Sequence, residues 1–236
     1  MQLSKLDNLV YEELKKNNLN IFKIRDICLI LKIKKTKAYN IVKSLKKKKV
    51  LKTVGKNFLA IKGTDEFIIA ASLNNPSYIS FWTALNYYGF SDQTPKKIFL
   101  VTTKYTKEIN NFKYVTLSKK RFFGYQSIGE IIIAEKEKAI IDSLLFPKYA
   151  GGITEIKKAI IKALPELIIK KLIDYAIQIE NKAVLRRLGF ILENLKYSKA
   201  EMNKLKRRIG KGYELLDPSL KRKNNLNKKW LLDINT

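Results

Sequence analysis

The sequence has 236 residues, 46% of them hydrophobic, and its 48 Lys and Arg outnumber 21 Asp and Glu, which gives a formal net charge of +27. This apolar content is enough for a folded core, and no apolar run approaches the roughly 20 residues of a membrane-spanning helix. With no histidine and one cysteine, Cys28, the chain excludes Ser-His-Asp and Cys-His catalysis, a structural zinc site and an internal disulfide. We therefore expect a cytoplasmic protein that needs no cofactor, does not enter a membrane and binds a polyanion.

The basic residues are concentrated at the two ends of the chain. Residues 1–62 carry seventeen bases against four acids, and residues 196–229 carry twelve against three. The stretch between them, residues 63–195, carries nineteen against thirteen. A lysine-rich proteome would raise the lysine content everywhere, so it does not explain this distribution. The densest part runs from Lys32 to Lys62, with twelve lysines and no acidic residue.

Hydrophobic periodicity predicts three helices and a β-hairpin near the N-terminus. Ser4 is a suitable N-cap for the first helix, and Asp7 favours its first turn. After residue 49 the apolar period changes to two, which indicates strands, and Gly55-Lys56-Asn57 supplies a turn between them. Helix, turn, helix and hairpin in this order predict a winged helix-turn-helix domain over residues 1–63. The predicted elements are helices over 4–16, 22–31 and 35–49 and strands over 50–54 and 58–61.

The third predicted helix has an apolar face and an opposite face whose residue types suit DNA. Asn40 can pair bidentately with adenine, and Thr36 and Tyr39 can meet base edges or phosphates, while lysines neutralise the backbone. Most charged helix faces are simply solvated, but the turn before this helix and the hairpin after it favour DNA contact. The predicted DNA-binding residues are Lys34, Lys35, Thr36, Lys37, Tyr39, Asn40, Lys43 and Lys47 on the helix, and Lys52, Lys56 and Asn57 on the wing.

Residues 64–198 combine short strands with amphipathic helices, which predicts an α+β domain with a small antiparallel or mixed sheet and a helical C-terminal half. Gly63-Thr64-Asp65 marks its start, and Gly89 closes a mostly buried helix that is rich in aromatic residues. The predicted elements are helices over 65–74, 78–88, 136–146, 153–164, 167–179 and 183–195, and strands over 97–103, over 112–117 and from residue 122.

Residues 199–236 form a third predicted segment, a basic C-terminal extension. We expect one short helix, followed by a loosely held tail that the apolar residues around Trp230 help to hold. The role of this segment rests on its charge alone.

Three stretches behind the predicted winged helix are similar to one protein family. They are SYISFWTALNYYGFSDQTPKKIFLVTT (77–103), FFGYQSIGEIIIAEKEKAIIDSLLFPKYAGG (122–152) and VLRRLGFILENL (184–195). In this order they resemble the AbiEi antitoxins of abortive-infection (type IV) toxin–antitoxin systems, and the similarity spans roughly residues 5–197.

The resemblance has one departure within the middle stretch. The family pattern there is Ala-x-Pro-Glu-Lys-Ala, and Lys136 replaces the proline, whereas Ala134, Glu137, Lys138 and Ala139 fit. The basic extension has no counterpart in the family pattern.

The resemblance implies a sequence-specific repressor that binds inverted repeats in double-stranded DNA ahead of its own operon. It implies that the C-terminal domain supports cooperative DNA binding and antitoxin action by a monomer or weak dimer. The implied functional partner is a nucleotidyltransferase-like toxin, which such an antitoxin counteracts without forming a stable complex. On this interpretation the protein is not an enzyme.

Two other interpretations are open. A metal-dependent nuclease would need clustered carboxylates near a lysine, and the candidates are Glu130, Glu135, Glu137, Lys138 and Asp142. The expected Asp/Glu-x-Lys triplet at a strand end is absent there, and Glu137, Lys138 and Asp142 are more simply explained as ion pairs on a helix surface. The second interpretation is a protein that binds an anionic membrane or a ribosome surface through its two basic ends alone.

Overall fold

A computed structural model describes residues 3–197 and 199–236. The chain forms two compact units, Met1–Asn75 and Pro76–Thr236. Both units combine helices with strands, which confirms the predicted α+β class. None of the helices in the described part of the chain has the length and apolarity needed to cross a membrane.

The two units differ from the predicted domains at both boundaries. The first unit extends beyond residue 63 to include the helix Glu66–Leu73, because Leu73 packs closely against the hairpin. A Cβ placed on Gly55 would lie only 3.0 Å from Leu73 Cδ2. Residues 199–236 belong to the second unit and do not form a separate extension.

The first unit contains helices and one small antiparallel sheet. Ser4 caps the first helix as predicted, since its Oγ accepts a hydrogen bond from Asp7 N at 3.1 Å. The elements are α1 (Lys5–Lys16), β1 (Ile21–Phe22), α2 (Ile24–Leu31), α3 (Lys35–Lys47), β2 (Leu51–Gly55), β3 (Phe58–Ile61) and α4 (Glu66–Leu73). The strand order of the sheet is β1-β3-β2, and both pairs are antiparallel.

Two predicted helix limits were wrong by two residues. The second helix begins at Ile24 instead of Phe22, because the residues before it form β1 and pair with β3. The third helix ends at Lys47 instead of residue 49, where the chain turns into the hairpin with Lys49 at a φ of 58°. Pairing with a distant strand overrides the helical periodicity in the first case.

The second unit begins with strands and ends with helices and a second small sheet. Its first elements are β4 (Ser77–Ile79), α5 (Phe81–Tyr87), β5 (Ile98–Thr102), β6 (Lys107–Ile109), β7 (Phe112–Thr116), β8 (Tyr125–Ile128) and β9 (Ile131–Ala134). They are followed by α6 (Lys136–Leu145), α7 (Ile153–Ala163), α8 (Ile169–Gln178), α9 (Lys182–Asn194), α10 (Lys199–Lys206), β10 (Glu214–Leu215), β11 (Leu226–Asn227) and β12 (Leu232–Asp233).

A six-stranded sheet of order β6-β7-β5-β4-β9-β8 organises this unit. It is mixed, since β4–β9 and β5–β7 are parallel pairs and the other pairs are antiparallel. The predicted helix over 78–88 begins only at Phe81, because Ile79 pairs with Leu100 of β5 and Ile133 of β9. Gly89 follows this helix in the left-handed conformation, with a φ of 75°, as predicted.

The C-terminal segment is folded, which corrects the prediction of a loosely held tail. Strands β10, β12 and β11 form a small sheet in which β12 is central. Trp230 is fully buried (0% exposed) and its Nε1 donates a hydrogen bond to Glu193 Oε2 on α9 at 2.8 Å. The indole also lies against Gly189, where a Cβ would come within 2.1 Å of the ring. The glycine thus provides the space that the buried indole occupies.

Candidate nucleic-acid interface

Helix α3 separates its residues into a buried apolar face and an exposed polar face. Ala38 and Leu45 are 0% exposed, and Ile41 and Val42 are nearly as buried, in the core of the first unit. The predicted side chains of this helix are all exposed: Lys34, Lys35, Thr36, Lys37, Tyr39, Asn40, Lys43 and Lys47. The apolar face therefore fixes the rotation of the helix and leaves the predicted face accessible.

The hairpin of β2 and β3 carries the predicted wing residues. Lys56 and Asn57 are exposed in its turn, and Asn57 has a φ of 68°, a conformation that asparagine adopts more readily than most residues. Lys52 lies further along β2, opposite Ala60, and is half-buried. Of the predicted wing residues, Lys52 thus presents the least surface.

An open concavity of about 310 Å³ connects the helix and the hairpin. Tyr39 and Lys43 of α3 line it together with Asn57 of the hairpin turn. The structure therefore brings together predicted residues from both parts of the sequence. Its floor includes Val42 and Leu59, which also belong to the core of the unit.

The same concavity contains residues that were not predicted. Lys46 lies three positions after Lys43, so helical spacing could have identified it. Thr53 and Phe58 also line the concavity; the hairpin that carries them was predicted, but not which of its side chains face α3. The ammonium group of Lys23 lies 4.6 Å from the centre of the Phe58 ring and adds another positive charge.

The N-terminus of α3 begins without a side-chain cap. Lys34 occupies the N-cap position, makes no capping hydrogen bond through its side chain, and the first turn contains no acidic residue. The backbone N–H groups of a first helical turn carry a partial positive charge, and here lysines add to it. This combination favours binding of an anion, such as a phosphate.

One lysine of the basic stretch is used inside the unit. Lys48 Nζ donates to the buried carboxylate of Asp7, and Ser44 Oγ donates to the same oxygen at 3.1 Å. Burial alone would raise the pKa of Asp7, but the hydrogen bonds from Lys48, Ser4 and Ser44 outweigh it and lower the pKa below its ordinary value. This ion pair joins α1 to the C-terminal end of α3 and helps to hold the polar face in place.

Two of the residues considered for a metal site form a buried ion pair in the second unit. Lys138 and Asp142 are both 0% exposed, so the prediction that they pair on a helix surface was wrong about their location. The hydroxyl groups of Tyr78 and Ser80 donate to Asp142 Oδ2 at 3.1 and 2.8 Å. Burial and the Asp142 carboxylate raise the pKa of Tyr78 well above its ordinary value, so this phenol remains a donor.

Glu137, the third residue predicted on the helix surface, is also buried, at 4% exposed. Lys171 Nζ lies 3.1 Å from Glu135 and 3.5 Å from Glu137, and Glu137 also accepts a hydrogen bond from Ile168 N at 3.0 Å. Glu130 lies in the exposed turn between β8 and β9. Over residues 3–197 and 199–236, no group of three or more His, Cys, Asp and Glu side chains is placed to hold a metal ion.

The comparisons with known proteins establish the fold and leave the family open. No protein-family model and no curated protein matches the sequence. The structure is similar to the crystal structure of the RV2827C protein from Mycobacterium tuberculosis, with a TM-score of 0.67 and 11% sequence identity. The match covers 98% of this chain and 92% of that chain. At this identity the two proteins share a fold along nearly their whole length, and the comparison carries no further conclusion.

Proposed function

We propose that the protein is a DNA-binding transcriptional autorepressor and the antitoxin of a toxin–antitoxin system, with a winged helix-turn-helix in its first unit. The observation that carries the DNA-binding part is the exposed polar face of α3, which shares a concavity with the hairpin. The element order α1-β1-α2-α3-β2-β3 and the strand order β1-β3-β2 support the winged-helix assignment. The antitoxin part rests on the resemblance to the AbiEi family.

In this proposal α3 enters the major groove and the hairpin contacts the adjacent backbone. The lysines beside the open N-terminus of α3, including Lys35 and Lys37, neutralise phosphates, and Lys56 does the same from the wing. If about six lysines each neutralise one phosphate, the slope of log affinity against log salt concentration is about −5. This electrostatic attraction is independent of sequence.

Sequence reading depends on the few uncharged residues of the same face. Asn40 has both a donor and an acceptor in its side-chain amide, which matches the major-groove edge of adenine. Thr36 and Tyr39 are exposed near it on α3 and can contact base edges or phosphates. Inverted repeats would place two copies on the operator, which agrees with a monomer or weak dimer that binds cooperatively.

An enzymatic function has less support from the arrangement of the second unit. The Lys138–Asp142 pair is buried without exposed surface, and Glu135 and Glu137 share Lys171. A nuclease would need such carboxylates free to hold a divalent ion in contact with DNA. We therefore propose a binding function instead of an enzymatic one, with operator recognition in the first unit.

Footprinting on the DNA upstream of the gene tests the repressor proposal. We expect a protected inverted repeat, and Asn40→Ala should lose about 1–3 kcal/mol of discrimination between this repeat and unrelated DNA, because one bidentate base contact disappears. Asn8→Ala is the matched control, since Asn8 is an exposed asparagine on α1 of the same unit. An unchanged footprint and unchanged discrimination in Asn40→Ala would remove this residue from the reading surface.

The antitoxin part has a separate test in the neighbouring reading frame. We expect a nucleotidyltransferase-like protein there, whose expression arrests growth and whose toxicity the present protein relieves. The two proteins should not co-purify, since the family counteracts its toxins without a stable complex. Growth arrest that persists on co-expression would contradict the antitoxin proposal and leave the repressor proposal standing.

A further inference from the structure

The folded C-terminal segment buries two acidic side chains, Asp217 and Asp233, on either side of a run of exposed basic ones. Asp217 and Asp233 are 4% and 1% exposed. Between them, Lys221, Arg222 and Lys223 are exposed in the loop of residues 218–225, which we call the basic loop. The surface that this loop presents is therefore more positive than the composition of the segment suggests.

Asp217 fixes the start of the basic loop. Its carboxylate accepts hydrogen bonds from Ile153 N on α7 and from Ser219 N, each at 2.9 Å, and from the Ser219 hydroxyl. Burial by itself raises the pKa of Asp217, but these hydrogen bonds and the charge of Arg187 outweigh it and lower the pKa below its ordinary value. The carboxylate therefore remains ionised while it is committed to holding the chain.

Asn235 holds the first half of the loop from beneath. It is 1% exposed, and its Nδ2 donates to the carbonyl oxygens of Asp217, Leu220 and Lys221 at 2.8, 3.2 and 3.3 Å. Its Oδ1 accepts a hydrogen bond from Asp217 N at 2.9 Å. A single buried amide thus fixes the backbone just before the three consecutive basic residues.

Asp233 holds the second half of the loop. Its carboxylate oxygens accept hydrogen bonds from Asn224 N and Asn225 N at 3.0 and 3.1 Å. The Nε of Arg222 lies 3.8 Å from the same carboxylate while its side chain is 66% exposed, so the guanidinium retains donors for a partner. Buried side chains therefore order the backbone on both sides of the bases before any partner binds, which reduces the entropic cost of binding.

The side chains of the loop are better suited to bind phosphates than nucleobases or lipid tails. The loop contains no aromatic residue on which a nucleobase could stack, and Leu220 is its one exposed large apolar side chain. Stable binding to a membrane surface requires more buried apolar area than one leucine provides. Further exposed basic side chains in the same segment add positive charge: Arg207, Arg208, Lys211 and Lys228.

We propose that the basic loop is a second nucleic-acid contact, which binds the phosphodiester backbone independently of base sequence and separately from the polar face of α3. The inference goes beyond the proposed function, because it holds whether or not the first unit reads an operator. The ligand is defined by its backbone phosphates, which either a DNA or an RNA duplex can supply.

The test is a salt titration of the full chain binding to a 24-base-pair duplex, roughly two helical turns, of arbitrary sequence, made once as DNA and once as RNA. The triple variant Lys221→Ala/Arg222→Ala/Lys223→Ala should make the slope of log affinity against log salt shallower by about 2–3, as three phosphate contacts are lost. The control Lys96→Ala/Lys157→Ala/Lys170→Ala removes the same charge from exposed positions elsewhere in the second unit and should change the slope by less than about 1.

Repeating the titration in a Lys37→Ala/Lys43→Ala background separates this inference from the proposed function. The loop variant should make the slope shallower by the same amount in this background. A failure of operator binding by the first unit would therefore not remove the effect of the loop variant. The duplex that shows the loss identifies the physiological backbone. Equal slopes in the two triple variants on both duplexes would overturn the proposal. The proposal would also be overturned if the loop variant bound both duplexes normally and lost binding only to vesicles containing phosphatidylserine, which would assign the loop to a membrane surface.

Discussion

The lysines around α3 in the first unit and the buried cations of the second unit are used in opposite ways. In the first unit the lysines of α3 and its flanks are exposed, and Lys48 is the member of that stretch paired with the buried Asp7. In the second unit, Lys138, Arg186 and Arg187 are between 0% and 4% exposed. Both arginines donate to backbone carbonyl oxygens, such as Arg187 Nη1 to Leu144 O at 2.8 Å.

This difference shows that the number of lysines and arginines in a unit does not give the positive charge that its surface offers to a partner. The buried cations of the second unit hold segments of chain together, because a guanidinium can donate to several carbonyl oxygens at once. The exposed lysines of the first unit leave their charge available to a partner. Variants that remove one of these buried cations should therefore affect stability, whereas variants that remove the exposed lysines of α3 should affect binding.

The largest expected effect is on the buried ion pair. Lys138→Met should lower the free energy of unfolding of the second unit by about 3–5 kcal/mol, because it leaves the Asp142 carboxylate buried without its cation. Both tryptophans, Trp82 and Trp230, lie in the second unit, so their fluorescence during urea unfolding reports this unit.

Two further variants sharpen this test. Lys37→Met removes an exposed lysine of α3 and should change stability by no more than about 0.5 kcal/mol. Lys138→Met/Asp142→Leu removes both charges and should recover most of the lost stability. A loss below about 1 kcal/mol in the single variant would mean that water or structural relaxation compensates the carboxylate, and the contrast between the units would weaken.

The next effect concerns the packing that holds the C-terminal segment. Gly189→Ala would place a Cβ 2.1 Å from the Trp230 ring, so the indole must move. We expect a loss of about 1–3 kcal/mol and a red shift of tryptophan emission as the ring meets water. If the clash is the cause, Gly189→Ala should cost much less in a Trp230→Leu background. Equal costs in both backgrounds would instead place the strain within α9.

The smallest effect is on the Asp7–Lys48 pair and depends on pH. Asp7→Asn should cost the first unit about 1.5 kcal/mol at neutral pH, because charge-assisted hydrogen bonds are lost. The pKa of Asp7 in the folded protein lies below the ordinary value of 3.8, so its stabilisation is complete above that value and is lost as the pH falls through the folded-state pKa.

The single cysteine makes this effect measurable in the first unit. Cys28 packs against the core there, and its labelling by dithiodipyridine, which reacts at acidic pH, increases when the unit unfolds. Wild type and Asp7→Asn should differ in labelling rate at pH 7, and the difference should shrink below pH 3.8 and vanish as the pH falls through the folded-state pKa of Asp7. A difference that grows on acidification would contradict the assigned sign.

Local patterns in the sequence account for much of the first unit. The cap at Ser4 and the apolar spacing from Ala38 to Leu45 depend on residues within a few positions of one another, and both predictions were confirmed. The exposed side chains of α3 follow from the same spacing. The hairpin was predicted, but the packing against α3 that adds Thr53 and Phe58 to the concavity is not a local pattern, and for that reason they were missed.

Long-range packing accounts for the wrong predictions in the second unit. Lys138 and Asp142 were correctly paired by their spacing, but their burial depends on Tyr78 and Ser80, about sixty residues earlier. Tyr78 and Ile79 were predicted as the start of the helix that follows, and they belong to a strand because two partner strands lie beside them. Burial of Trp230 likewise depends on the gap at Gly189, which no local pattern in the basic segment indicates.

The uncapped start of α3 links ligand binding to the local stability of the helix. A first turn without a side-chain cap is prone to fray, so its amide hydrogens should exchange with solvent readily in the free protein. A phosphate seated there would supply the missing acceptors and slow that exchange. The free energy of association would then include a share of the helix's own folding, and the ligand would act as the N-cap that the sequence omits.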